Sequence, residues 1–436
     1  VRVSLRQIED VVEHGLCAGC GACAGMSPTT YAMRDHEHDG RRPERRPGAG
    51  VDDAQRRVLM DVCPGVNVRR DRSAVDAGID VDLEPDFGPV IAVWEGHAAD
   101  VSTRYRASSG GVITALAAYG VEQGGMTGVL HIRAHRERPL ENETVLSTTG
   151  DAVRAATGSR YAPASPAEGI PLIEGADGPC IFIGKPCDVA AVQRARRHRP
   201  ELDRNCAITI ALFCAGTPST AGTRAMLARM GVTADDVRHV RYRGHGWPGR
   251  ATAGVATSAG LAERTLSYEQ AWGEILSKHT QWRCRICPDH AGELADIAVG
   301  DPWDDPPKGD EPGRSLVVAR TARGRVFIER AISASAVELT RVDARRLRDA
   351  QPNLRRARGA SWGRRLAMRL CGQPAPRFDG LSSFHAWRTT LSSAERVRSI
   401  LGTIRRMRRG EHRPAQMRLD PPTITITHDA TTQEAA

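Results

Sequence analysis

Aromatic residues are scarce in this 436-residue chain, at 4% Phe, Trp and Tyr, too few to supply the stacking platforms of a single-strand nucleic-acid binder. Long apolar runs are missing too. The longest, over 112–121 and 207–215, have the length of core elements and fall short of the roughly 20 residues that cross a bilayer. Residues 1–6 carry no apolar stretch of the kind found in a secretory leader, so a cytoplasmic protein is expected. Lysine is nearly absent, with Lys185, Lys278 and Lys308 its only occurrences among 61 basic residues. Acidic residues are thin in one place. The stretch 341–420 holds 20 arginines against 6 acids, a local charge of +14 in a chain of net +9. The remainder is therefore mildly acidic, and the basicity belongs to a C-terminal extension.

Cysteine is what the chain has in quantity, with eleven residues. A disulfide framework suits small secreted domains, and the spacing here points to metal instead. Cys17-x2-Cys20-x2-Cys23 is the strongest local signal. Gly19 and Gly21 between the thiols give the tight backbone that lets three thiolates converge on one small volume. Cys63, followed by Pro64, supplies a fourth ligand in the manner of ferredoxin runs that end in Cys-Pro. A cubane cluster fits this set; structural zinc, which more often uses paired Cys-x2-Cys hooks, is the alternative. A second set is dispersed over Cys187, Cys214 and the hook Cys284-x2-Cys287. Ordinary buried thiols are the other reading for Cys187 and Cys214. Cys180 and Cys206 fall at strand starts, away from this set, and read as inert core thiols.

The expected fold class is α/β, α+β overall. Residues 1–90 form a small ferredoxin-like iron–sulfur module, closed by a linker at 85–89. Residues 91–340 form an α/β core. Strands are expected over 89–94, 128–132, 180–184 and 207–213, with helices over 110–121, 188–197 and 221–230 between them, a βαβ rhythm that implies parallel pairing. If strands 180–184 and 207–213 are parallel neighbours, Cys187 and Cys214 emerge together at the carboxyl edge of the sheet, where α/β proteins assemble sites. Residues 341–420 form a basic helical extension. Its best helix, 392–409, has Val397, Ile400, Leu401 and Ile404 on the face expected to pack on the body, and a capping box from Ser392 and Glu395. The tail 421–436 is expected to be disordered.

Several loops suit a dinucleotide. Ser108, Ser109, Gly110, Gly111 and Val112 lead into a helix, where free N–H groups and the helix dipole favour a pyrophosphate, although Ser-Gly turns that only cap helices are common. Ser159, Arg160 and Tyr161 make a second polar loop. Gly184, Lys185 and Pro186 set a cation at the sheet edge, either beside a flavin or simply in solvent. His245 and Asp301 are candidate proton donors, with a turn role as the alternative for each.

Together these motifs resemble the coenzyme F₄₂₀ hydrogenase/dehydrogenase beta-subunit family, which includes 7-hydroxymethyl chlorophyll a reductase. The carrying motifs are the Cys17–Cys23 run with Cys63-Pro64-Gly65, Ser108 to Val112, Gly158 to Tyr161, Phe182 to Asp188, Leu212-Phe-Cys214, Tyr242-Arg-Gly-His-Gly-Trp247-Pro, and Cys284-x2-Cys287 running on to Asp301-Pro-Trp303. The resemblance implies FAD, two 4Fe-4S clusters on the two cysteine sets, and electron transfer between coenzyme F₄₂₀, or a related organic substrate, and a one-electron partner such as a ferredoxin-like protein or a partner oxidoreductase subunit. It makes the serine, glycine, Arg160, Tyr161 and Lys185 positions flavin contacts. A non-catalytic relay subunit and a zinc-stabilised nucleic-acid binder are the competing classes. The basic extension lies outside the resemblance, and either solvates its arginines or docks an acidic carrier.

Overall fold

Strands in which alternate side chains face opposite layers build the centre of the protein. In this computed structural model, which describes residues 4–70, 78–258, 260–305 and 312–415, eight of them form one sheet. In chain order they are β1 (Ala92–Ala98), β2 (Gly128–Ala134), β3 (Asn142–Ser147), β4 (Cys180–Gly184), β5 (Cys206–Leu212), β6 (Ile297–Gly300), β7 (Ser315–Ala319) and β8 (Val337–Val342). The spatial order is β8-β1-β7-β6-β5-β4-β2-β3. The four inner strands β2, β4, β5 and β6 run parallel, as the βαβ rhythm requires. Antiparallel strands flank them on both sides, so the sheet is mixed.

Helices cover both faces. Helix α1 (Val112–Glu122) packs Leu116 and Ala117 with Ile181, Ile208 and Ile210 on one side. Helix α2 (Pro186–Ala195), led by Pro186 at its first position, packs Val189 and Val192 with Phe182 and Cys206 on the other. The alternation of Ile181 and Phe182 between these two cores is the period of the strand made visible. A separate three-stranded sheet of Val237–Arg241, Ala251–Thr257 and Gly260–Leu266 stands beside it, with its own core around Tyr242, Ala253 and Leu276.

The N-terminal region shares the main core. Cys20, Ala22, Met26, Leu59 and Val62 lie in the same apolar cluster as Phe182 and Val189. The stretch expected to be a linker is packed as well: Leu83, Phe87 and Val90 are buried, which a solvent-crossing connection would not show.

The extension clamps onto this region. Its strand Arg377–Asp379 pairs in parallel with Asn67–Arg69, a few residues past Cys63. Helix α3 (Trp282–Arg285) contributes Trp282, and helices α4 (Pro352–Leu370) and α5 (Ser393–Arg408) contribute Met368 and Met407, to a cluster that contains Leu16 and Cys17. Two expectations change here. The capping box of Ser392 and Glu395 forms, but the buried face of α5 carries Ser399, Thr403 and Met407, whereas Val397 and Leu401 are 54% and 59% exposed. Thr403 donates to the Ser399 carbonyl and Trp387 to the Ser399 hydroxyl, so small polar residues let α5 approach its neighbours closely. The arginines are not all solvated either: Arg358 and Arg365 are buried, Arg358 paired with Glu293. The tail 421–436 lies outside the described residues.

Met368→Ala is expected to cost about 2–5 kcal/mol as a large-to-small core change. Leu401→Ser is expected to stay within about 0.5 kcal/mol. Denaturant midpoints of the two variants check the assignment of faces; equal losses would restore the face read from periodicity.

Candidate functional site

Cys17, Cys20 and Cys23 surround a turn whose glycines cannot be replaced locally. Gly19 and Gly21 have φ of +70° and +87°, and a Cβ on Gly21 would come within 2.8–2.9 Å of Glu168 and Ser165. Cys23 sits in the short helix Ala22–Met26, and Cys63 ends the helix Asp53–Val62. The four thiols converge. Burial chiefly, then the charges of its neighbours, pushes Cys23 well up, and those neighbours are Cys17, Cys20 and Cys63. Cys63 is pushed up to about 12 by burial and by Cys17.

The second set converges at the sheet edge. Strands β4 and β5 are parallel neighbours, so Cys187, in the first turn of α2, and Cys214, two residues beyond β5, leave the sheet at the same end. Helix α3 brings Cys284, and Cys287 follows it. Burial, then Asp188, raises Cys187, with Cys214 and Cys287 acting in the same direction. Cys214 is pushed up to about 12 by burial, then by Cys284 and Cys287. Cys180 and Cys206 pair across the opposite edge, fully buried. No two of the cysteines are disulfide-bonded, and among the described residues no group of three or more His, Cys, Asp or Glu side chains is arranged to hold a single metal ion.

The two sets are adjacent. Asp188, 0% exposed, acts on Cys20 of the first and Cys187 of the second. Its carboxylate accepts from the Lys185 ammonium at 2.7 Å and from the Lys185 backbone N–H at 2.8 Å. Lys185 is therefore half of a buried pair beside the thiols.

The polar loops are largely committed within the protein. The Ser108 hydroxyl accepts from the Ser159 N–H at 2.7 Å, the Ser109 hydroxyl donates to the Arg314 carbonyl at 2.6 Å, and the Gly110 N–H donates to Ser315 at 3.0 Å. Gly111 caps α1 with a φ of +76°, and Val112 is buried. Arg160 donates to Asn142 Oδ1 and to the carbonyls of Val240, Pro139 and Glu141, with its guanidinium over the Tyr242 ring. Gly184 packs under Asp188 and Phe182, and Pro186 opens α2. The space beside Gly158 is open: a Cβ there would meet nothing within 4 Å.

His245 and Asp301 part ways. His245 is exposed, with a φ of +57°; it stacks on Tyr105 and shares a hydrogen bond with Arg241 at 2.9 Å. Burial and Arg241 hold its pKa below the ordinary imidazole value. Asp301 accepts two hydrogen bonds from Arg243, at 2.9 and 3.0 Å, and one from the Trp247 indole at 2.8 Å. It is an anchor of this cluster by contact. Around the pair lies an aromatic cluster that the sequence did not reveal as one: Trp303 is in ring contact with both Trp247 and Tyr268, Arg243 lies over Trp303 and Tyr268, and Tyr161 packs against Trp272. With so few aromatic residues in the chain, the spacing of Trp247, Tyr268, Trp272 and Trp303 along one stretch was the available signal.

Residues 93–170 and 179–345 match the family models for the N-terminal and C-terminal parts of the coenzyme F₄₂₀ hydrogenase/dehydrogenase beta subunit. The coenzyme F₄₂₀ hydrogenase subunit beta of Methanococcus voltae is 26% identical over 274 residues, 62% of this chain and 89% of its own. That of Methanosarcina barkeri (strain Fusaro / DSM 804) is 22% identical over 264 residues, 57% and 81%. A chain in a solved structure of the F₄₂₀-reducing NiFe hydrogenase complex from Methanosarcina barkeri has a TM-score of 0.48 and 22% identity, over 64% of this chain and 90% of that one.

Asp301→Asn removes the anion from a buried bidentate pair and leaves the Arg243 guanidinium without compensation. A loss of about 3–5 kcal/mol is expected, together with a change in tryptophan fluorescence, because Trp247 loses its acceptor. A variant as stable as the parent would return Asp301 to the role of a free proton donor.

Proposed function

The chain belongs to the coenzyme F₄₂₀ hydrogenase/dehydrogenase beta-subunit family, and on that premise we propose that it is an iron–sulfur oxidoreductase that passes reducing equivalents between coenzyme F₄₂₀, or a related organic substrate, and a one-electron partner. The observation that carries this reading is the pair of adjacent thiol quartets, buried or half-buried, Cys17/Cys20/Cys23/Cys63 and Cys187/Cys214/Cys284/Cys287. The donor set fits a cubane in each. Such clusters, when bound, supply one-electron storage.

The protein's own part in this chemistry is to exclude water and fix charge. Burial of Cys17 and Cys20 and partial burial of the other six limit the access of solvent, and the Lys185–Asp188 pair places a fixed dipole beside both sets. The partner, a ferredoxin-like protein or a partner oxidoreductase subunit, would approach a surface that includes the exposed arginines Arg398, Arg405 and Arg408 on α5. Among the described residues no helix is long and apolar enough to cross a membrane.

FAD belongs to the proposal as the group that would exchange two-electron for one-electron traffic. The residues present fit it less fully than the clusters. Ser109, Gly110, Arg160 and Lys185 spend their donors inside the protein, and the open ground is the space beside Gly158 and the Trp247/Trp303/Tyr268 rings. That commitment favours a second reading, a relay subunit that carries clusters and binds no flavin.

Anaerobic purification of the full chain is expected to yield about eight iron and eight sulfide, two cubanes. Cys20→Ala and Cys214→Ala should each lose about half of the iron, and Cys180→Ala none. Flavin per chain, with steady-state turnover of F₄₂₀ using an artificial electron acceptor, separates the enzyme from the relay. Iron-free protein would overturn both.

A further inference from the structure

Arg283 is a buried cation that forms no ion pair with a carboxylate among the described residues. It lies on α3 next to Cys284 and is 2% exposed. Its Nη2 donates to the carbonyl of Pro64 at 2.8 Å, the residue after Cys63. Its Nε is buried without a hydrogen-bond partner. Among the described residues the groups that stabilise its charge are the thiols of Cys287, Cys187 and Cys284, while it in turn opposes the effect of burial at Cys63. The guanidinium therefore touches the backbone beside one quartet, while its helix carries Cys284 of the other as the next residue. Phe378, from the C-terminal strand, covers its face at 5.0 Å, with Arg365 on the same ring at 4.8 Å.

An isolated guanidinium in such a position costs several kcal/mol unless an anion answers it. Of the other cations near the thiols, Lys185 already has Asp188, and the buried Arg365 donates to the Ser383 hydroxyl. Among the described residues Arg283 is met by a carbonyl and a ring and forms no ion pair with a carboxylate. A cubane held by four thiolates is an anion in either redox state and gains one more negative charge when reduced, so a fixed positive charge nearby favours the reduced form.

We propose that Arg283 is the shared counter-cation of both cysteine quartets, raising the reduction potential of the two clusters together. The inference rests on the cluster reading given above and adds to it which residue sets the electrical balance between the two centres. It also accounts for a buried, half-satisfied guanidinium that serves no ion pair among the described residues.

The test uses the full chain, purified anaerobically with its own iron and sulfide, as wild type, Arg283→Gln and Arg283→Lys. Iron and sulfide are quantified first, and both centres are then titrated against redox dyes and followed by electron paramagnetic resonance. In Arg283→Gln both centres are expected to become harder to reduce by about tenfold in the reduction equilibrium, which is 59 mV for a one-electron couple. Arg283→Lys keeps the charge and is expected to titrate near wild type. Loss of iron from Arg283→Gln but not from Arg283→Lys would equally support a requirement for the charge. An iron-replete Arg283→Gln that titrates as wild type, or in which one centre moves alone, overturns the proposal and leaves the cluster reading standing. The same holds if the lysine variant behaves as the glutamine one. Wild-type protein without iron removes the cluster reading itself, and the inference with it.

Discussion

Thiols gathered in a buried place resist ionisation, and ligation of iron requires them as thiolates. Every thiol with a resolved shift in either quartet is held above its ordinary range, with burial the first cause in each. A metal bound there, as proposed, would offset part of that cost. The remainder falls to whatever charge the fold can fix nearby, and much of the architecture around the site is explained by this need. Lys185 is delivered by the end of β4, Arg283 by α3, and Arg365 by α4, and each stands where the chain has brought sulfur.

The parallel pair β4 and β5 is what makes the second quartet possible. Two strands with the same direction deliver the residues after them to the same edge, so Cys187 and Cys214 meet although 26 positions separate them in the chain. The first quartet uses another device. A run with two-residue spacers closes on itself through Gly19 and Gly21, and the helix Asp53–Val62 returns Cys63 to it. The two devices meet because the N-terminal region and α2 bury their apolar residues in one cluster. A hydrophobic core thus sets the neighbourhood of the two cysteine sets.

What could be read in the sequence was local or periodic. Strand β4 and its break at Lys185, the apolar run of β5, the helix read from 188 that begins two residues earlier as α2, and the capping box at Ser392 all follow from a few adjacent residues. The convergence of Cys187 with Cys214 needed one further assumption, that the strands are neighbours, and the βαβ rhythm supplied it. Partner choice was not legible. Nothing near Arg160 in the chain says that its donors go to Asn142 and to the Val240 carbonyl, and nothing near Asp301 points to Arg243. The stripe of Val397 and Leu401 failed for a related reason. Amphipathic period identifies a face, but tertiary packing decided that Ser399, Thr403 and Met407 lie inside.

The C-terminal extension lies mostly beyond the residues matched by the family models, and it would be easy to treat it as an appendage. Its contacts argue otherwise. Met368 and Met407 close over Cys17, the strand with Phe378 pairs beside Cys63 and covers Arg283, and Arg358 neutralises the buried Glu293. The backbone at His412 passes so close to Gly15 that a Cβ there would collide with its carbonyl oxygen, and Asp39 accepts from the Ala415 N–H. An extension that merely floated in solvent would expose its apolar residues and place its arginines in water. This one buries part of each against the thiols, so the local excess of positive charge is partly a property of the site. Its role in holding the quartets dry is carried by packing, and its role in balancing them by charge.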